Sequence, residues 1–275
     1  MTADPATAAR ATARTPFRLA VTLVLAAGLA LAGGCGGAFG PSPDTLPPGA
    51  PAPSATPPPV LPPTPPTSPA PEPEEEEEVL DLDSYGPAVQ EVQQRLTDLG
   101  YWLGEIDGHY GQLTRQAVMA FQKAEGLDRD GIAGPVTRER LPDATRPAPR
   151  TTEDDHLEVD LERQLLLVVR DGRVLWTFNT STGSGEAYDR PSGGSGVART
   201  PRGSYEIERQ INGVRRAELG VLYRPKYFHG GIAVHGSGSI PAEPASHGCV
   251  RLTNSAMDLL WSSDVAPVGT EVTVY

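Results

Sequence analysis

Cys249 stands in ASHGCVRL (245–252), with His247 two positions before it and His235 closing the apolar run GIAV upstream. A thiol attacks a carbonyl only as the thiolate, so a catalytic cysteine needs a base beside it and a third group that fixes the base's ring. Strand geometry favours His235 as that base, because it projects from a strand end. His247 shares a face with Cys249 in an extended segment, at a separation awkward for direct contact. Gly248 lets the backbone approach closely, and the amides of Gly248 and Cys249 can point together at a developing oxyanion. Two plainer readings stay open at this level: a buried, inert cysteine, and a zinc site of His235, His247 and Cys249, whose spacing is atypical.

The N-terminus bears on whether the thiol is free. Arg10, Arg14 and Arg18 precede LAVTLVLAAGLALA, an uncharged run suited to a signal-peptide core and short for a membrane span. It ends in AGGC, which resembles a bacterial lipobox with its leucine one place early, so residues 1–34 are expected to be removed and Cys35 lipidated. An ordinary secretory signal cut nearby is the alternative. Exported proteins normally pair their cysteines. With only two in the chain and Cys35 acylated, Cys249 is left single, and an odd thiol outside the cell is a candidate nucleophile.

A formal charge of −12 excludes the broad basic face that nucleic acid or an anionic membrane requires. The 29 prolines and 30 glycines are concentrated enough to make much of the chain linker. Residues 35–83 are Pro-rich and end in a glutamate run. They cannot bury enough apolar surface to fold, and read as a disordered tether; some thirty residues of polyproline II reach roughly 100 Å.

Two folded regions must position the chemistry. Over 84–141 the apolar positions Val89, Val92, Leu96 and Leu99 predict a helix that begins near Pro87 and stops at Gly100. Thr114 caps a second helix that presents Ala117, Val118 and Phe121 and ends at Gly126, and Pro135 opens a short third. A linker at 142–155 separates this three-helix unit from 156–275, where the period becomes alternating. HLEVDL, QLLLVVR, VLWTFNTST, GSYEIERQ, GIAVHG and TEVTVY are strand candidates, RDGR is a hairpin turn and NSAMDLLWSS is a helix. Two packed, sandwich-like sheets are expected. GSGEAYDRPSGGSGVART, from Gly183, is too glycine-rich for a strand and reads as a mobile loop, either a lid or a surface connection. RRAELGVLYRPKYFHG is also hard to fit as a strand, because Pro225 lacks a backbone donor. With Tyr227 among its aromatics, it walls a cleft or packs as a covering flap.

Two resemblances sharpen this. The pattern QQRL..LGY..GEIDGHYG..T..AV..FQ over Tyr85 to Leu141 is similar to the peptidoglycan-binding domain, which implies affinity for cell-wall glycan polymer; its residues equally suit a spacer. TPRGSYEI, YFHGGIAVHGSGS, PASHGCVRL and GTEVTVY resemble the L,D-transpeptidase (YkuD) catalytic domain over about His156 to Tyr275. That resemblance implies Cys249 as nucleophile, His235 as base, the Gly236 carbonyl orienting the imidazole, and Ser246, His247 and Gly248 shaping the loop. Arg251 and Tyr227 are candidate substrate contacts. It further implies acyl transfer between peptidoglycan stem peptides, donor and acceptor, through a thioester, with loss of terminal D-alanine, no metal or cofactor, and carbapenem-type inhibitors. The expected place is outside the cytoplasmic membrane, lipid-anchored within the wall. Hydrolysis by the same cysteine, attachment of another protein to the wall, and a non-catalytic anchor are the other outcomes.

Overall fold

The computed structural model describes residues 78–275; Cys35, the signal segment and most of the Pro-rich stretch lie outside them. Three helices come first: α1 Pro87–Asp98, α2 Gln112–Glu125 and α3 Pro135–Arg140. Val89, Val92 and Leu96 are buried on α1, and Gly126 ends α2 in the left-handed conformation at φ 70, as expected of a C-terminal glycine. The expected cap at Thr114 is corrected. Gly111 precedes α2 with no side-chain cap, and Thr114 lies buried in its first turn, where its hydroxyl accepts from Gln93 Nε2 at 3.0 Å. A buried amide must satisfy its donors and acceptor. Gln93 Nε2 also reaches Asp107 and the His109 carbonyl, and its Oε1 accepts the Gly108 amide, so one α1 side chain holds the DGHYG turn.

The strands follow as β1 His156–Asp160, β2 Leu165–Arg170, β3 Arg173–Asn179, β4 Ala187–Asp189, β5 Ser195–Val197, β6 Gly203–Glu206, β7 Arg209–Gln210, β8 Val214–Ala217, β9 Gly220–His229, β10 Ile232–Gly236, β11 Val250–Leu252 and β12 Glu271–Val274, with α4 Asn254–Ser262 between the last two. One sheet runs β3-β2-β1-β12-β6. The other runs β11-β10-β9-β7, with β8 also on β9, and β4 and β5 form a hairpin of their own. Leu157, Val159, Leu166 and Val168 of the first sheet pack on Phe228, Val234, Val250 and Leu252 of the second, and α4 adds Met257 and Leu260.

Alternate residues of β2 and β3, namely Leu165, Leu167, Val169 and Val174, point the other way and share a core with Val89, Leu96, Tyr101 and Phe121 of the helical unit. This explains why QLLLVVR is apolar without alternation: both faces of β2 are covered. The architecture is therefore helices on sheet on sheet. Polar contacts complete the first junction. Lys123 of α2, fully buried, donates to the Gln164 and Thr180 carbonyls at 3.2 and 3.1 Å and to Asn179 Oδ1. Burial pushes its pKa down to about 7. Gln116 Nε2 donates to the Ile240 carbonyl at 3.2 Å, and Arg146, in the connecting segment, bridges the carbonyls of Asp98 and Val174.

Two expectations about the second sheet's periphery are overturned. The segment from Gly183 is a β4–β5 hairpin, whose glycines occupy its turn: Gly193 and Gly194 sit at φ 96 and 84. RRAELGVLYRPKYFHG forms β8 and the ten-residue β9. Pro225 is tolerated because the β9–β10 register shifts between Val234 and Gly236, so a bulge absorbs Arg224 (φ 47) and Pro225, and no ladder donor is needed there.

Removing 78–141 would expose Leu165, Leu167, Val169 and Val174, at about 1.5 kcal/mol or more each, a loss comparable to the whole stability of a domain. Residues 78–275 should unfold in one calorimetric transition, and a 142–275 fragment should be unfolded or aggregated. Two separate transitions would refute the shared core.

Candidate active site

The parallel pairing of β10 with β11 sets Val234 beside Val250, His235 beside Arg251 and Gly236 beside Leu252. Side chains alternate along each strand. Val234, Val250 and Leu252 turn into the sandwich core, so His235, Arg251 and, one pair earlier, Ala233 and Cys249 take the outer face. Cys249 accordingly packs with Tyr227, Ala233 and Leu222 in a small separate cluster. Imidazole and thiol thus share one face as diagonal neighbours across two strands, with no hydrogen bond between them as the structure stands. Resting catalytic contacts often tighten only on substrate binding.

His235 is 6% exposed. Its Nδ1–H donates to the Gly236 carbonyl at 2.9 Å, which fixes the tautomer and leaves Nε2 with its lone pair free. The β9 bulge lies directly across from it. Gly236 is required: an added Cβ would stand 2.5 Å from Asn254 Oδ1. The sulfur of Cys249 lies 3.9 Å from the Gly231 carbonyl and receives the Ala233 amide.

The loop from 237 to 249 is held from beneath. The amides of Ala245 and Ser246 donate to the Thr182 carbonyl, and the Ser181 hydroxyl donates to the Glu243 carbonyl at 2.7 Å. The Thr200 hydroxyl donates to the Gly248 carbonyl at 2.7 Å. Ser246 is buried, and its hydroxyl donates to the Cys249 carbonyl at 2.6 Å. Gly248, at φ 133, has no room for a side chain, since a Cβ would meet the Arg199 carbonyl at 2.7 Å. The expected pair of oxyanion amides is not preformed: Gly248 N–H already donates to Ser246 Oγ at 3.0 Å. His247 is exposed and meets the Tyr188 ring edge-on with centroids 4.7 Å apart, so it does not converge with His235 and Cys249 on a common centre.

Electrostatics set the resting state. Burial lowers the His235 pKa, partly offset by the Gly236 carbonyl, and Arg251 lowers it further. Cys249 keeps part of its surface open, yet enough protein surrounds the sulfur that burial pushes its pKa up, against the opposing pull of the Ala233 amide and Arg251. Both shifts favour the neutral forms of the imidazole and the thiol.

The thiol opens on a cleft of about 540 Å³ walled by Tyr188, Leu222, Tyr227, Ile232 and His247. The Tyr227 ring is 5% exposed, and the Arg209 guanidinium covers it at 3.4 Å, so that face is occupied by the protein itself. Four arginines along this cleft, Arg190, Arg199, Arg209 and Arg215, were not singled out from the sequence, nor was Thr200. The acidic total masked the arginines, and nothing local marks them.

Comparison with known proteins follows the same division. The L,D-transpeptidase catalytic domain (YkuD) matches residues 154–274, and a peptidoglycan binding domain matches 85–141. The chain is similar to an L,D-transpeptidase of Xylanimonas cellulosilytica, with 49% identity and a TM-score of 0.71 over 74% of this chain and 100% of that one. It is 47% identical over 57 residues to an N-acetylmuramoyl-L-alanine amidase of Mycobacterium tuberculosis, and 38% identical over 69 residues to a spore cortex-lytic enzyme of Oceanobacillus iheyensis. Those matches cover 21% and 25% of this chain, which spans only 14% and 25% of the two curated relatives' lengths. A thiol and an oriented imidazole on one face of a β-sandwich, in a chain that covers a solved relative end to end at 49% identity, place this protein in the L,D-transpeptidase family, its YkuD catalytic domain preceded by a peptidoglycan-binding domain.

Proposed function

We propose that the protein cross-links peptidoglycan stem peptides by cysteine acyl transfer. The observation that supports this is that Cys249, which lines the cleft, and His235 lie on one face of the paired strands β10 and β11, with the imidazole tautomer fixed by Gly236. Nε2 takes the thiol proton as the sulfur attacks the carbonyl of the stem's third residue. The oxyanion is stabilised by the Cys249 amide, and the Gly248 amide joins it by leaving Ser246 Oγ. Collapse breaks the bond to the terminal D-alanine, whose nitrogen receives the proton from the imidazolium, and a thioester remains. The side-chain amine of a second stem then attacks the thioester. His235 accepts the amine proton, and the sulfur departs as thiolate. The resting bond energy is kept in the thioester, so the chemistry proceeds without ATP.

Peptidoglycan is an extracytoplasmic polymer, and a protein with these two domains acts in the cell wall. In this reading the 84–141 domain adds affinity for the glycan polymer, and lipid on Cys35 holds the chain at the outer face of the membrane through the tether. Cys35→Ala should shift the protein from the membrane fraction to the soluble one on fractionation; unchanged retention would count against acylation.

Incubated with disaccharide tetrapeptide, the purified chain should yield a dimer lacking one D-alanine by mass spectrometry. Cys249→Ala should abolish it along with carbapenem labelling, and His235→Gln should slow it about 10²-fold or more. Free tripeptide without dimer would identify a hydrolase, and no consumption would leave a wall-binding protein.

The pKa directions give a pH signature. The raised thiol and lowered imidazole leave little thiolate at neutral pH, so alkylation of Cys249 by iodoacetamide should climb roughly tenfold per unit from pH 7 to 9. A plateau reached near pH 6 would instead reveal a resting thiolate–imidazolium pair.

A further inference from the structure

Arg190, Arg199, Arg209 and Arg215 line the same cleft as Cys249 in a chain whose formal charge is −12. They arrive from separate elements: Arg190 from the β4–β5 turn, Arg199 from the segment after β5, Arg209 from β7 and Arg215 from β8. Some other arginines pair with carboxylates, as in Arg140–Glu125, Arg163–Asp160 and Arg224–Asp258, each at 2.7 Å, while Arg95 and Arg146 donate to backbone carbonyls. Among the described residues none of the four cleft arginines has a carboxylate within 4.0 Å. Glu218 is the one acidic side chain lining the cleft, and its carboxylate is engaged by the Ser192 amide. Arg209 is held against the Tyr227 ring, so its planar fork is already oriented.

Guanidinium groups outnumber carboxylates four to one along this cleft, where Glu218 acts on Arg190 through space, and the excess positive charge calls for an anionic complement. Resting on the acyl-transfer reading above, we propose that this cleft selects peptides bearing two or more free carboxylates, so that stems with unamidated side carboxyl groups are its substrates and amidated stems are disfavoured. A carboxylate accepts two parallel N–H bonds from a guanidinium. A carboxamide loses the charge and turns its own NH₂ donors toward donors, which adds a repulsive element to the lost attraction. The excess of arginines lining the cleft concentrates such ligands at low salt.

The test uses the full chain and two disaccharide tetrapeptides that differ only in carboxyl or carboxamide at the second residue and, where the third carries one, at its side-chain carboxyl group; the scissile bond is unchanged. Amidation should lower kcat/KM about tenfold or more, chiefly through KM. The gap should narrow between 50 and 500 mM NaCl, about as screening shortens, and in the Arg190→Gln/Arg215→Gln double variant. Equal turnover of both peptides by the wild-type chain, or a gap that neither salt nor the double variant narrows, would overturn charge selection while leaving acyl transfer standing. Consumption of neither peptide would remove acyl transfer and this proposal together.

Discussion

The register of two short parallel strands governs this molecule. Parallel pairs cannot be closed by a tight turn, and the chain between β10 and β11 spans residues 237 to 249 without a helix. A slip of one residue in β11 would turn Cys249 into the hydrocarbon between the sheets and bring Val250 out to the cleft, because side-chain direction reverses at every step. The fold holds that register by crowding. Gly248 has its Cβ position filled by the Arg199 carbonyl, and Gly236 has its own filled by Asn254. Ser246 ties its hydroxyl to the carbonyl of Cys249 itself.

The loop's supports lead back through the structure. Residues 180–183 hydrogen-bond the returning chain through the Thr180 hydroxyl to the Arg251 carbonyl and the Thr182 carbonyl to the Ala245 and Ser246 amides. The same strand end is gripped by Lys123 of the helical unit, whose ammonium finds the Gln164 and Thr180 carbonyls and Asn179 Oδ1. Asn179 in turn donates to Gln116 and to the Ile240 carbonyl. A contiguous hydrogen-bonded chain thus runs from α2 to the segment that carries Cys249. The helical unit is a structural layer of the catalytic domain, whatever it binds.

The charge distribution has the same local character. Carboxylates outnumber basic groups over the chain, 35 against 23, yet arginines drawn from four places line the cleft on which the thiol opens. Opposing influences act on the thiol itself: burial disfavours the thiolate, while Arg251 and the Ala233 amide favour it. The net effect keeps the thiol protonated, which guards it against oxidants, since the thiolate is the form that oxidises.

Helix positions, most strands, the hairpin at RDGR and the candidate pair His235 and Cys249 were legible in the sequence, because apolar period, glycine stops and motif spacing are local properties. The segment 183–200, expected as a loop, and the β8–β9 segment, which walls the cleft as one of its two readings had it, are strands against expectation for a nonlocal reason: strand pairing supplies the hydrogen bonds that glycine and proline content argues against, and a bulge hides the missing donor of Pro225. Which face Cys249 occupies, which histidine lies beside it, where the Gly248 amide points and how four distant arginines meet are decided by register and sheet packing. Those are relations between segments far apart in the chain. The sequence by itself determined what chemistry was on offer; the tertiary structure alone decided which groups share a face and a cleft, because strand register is set by packing against partners that no local pattern names.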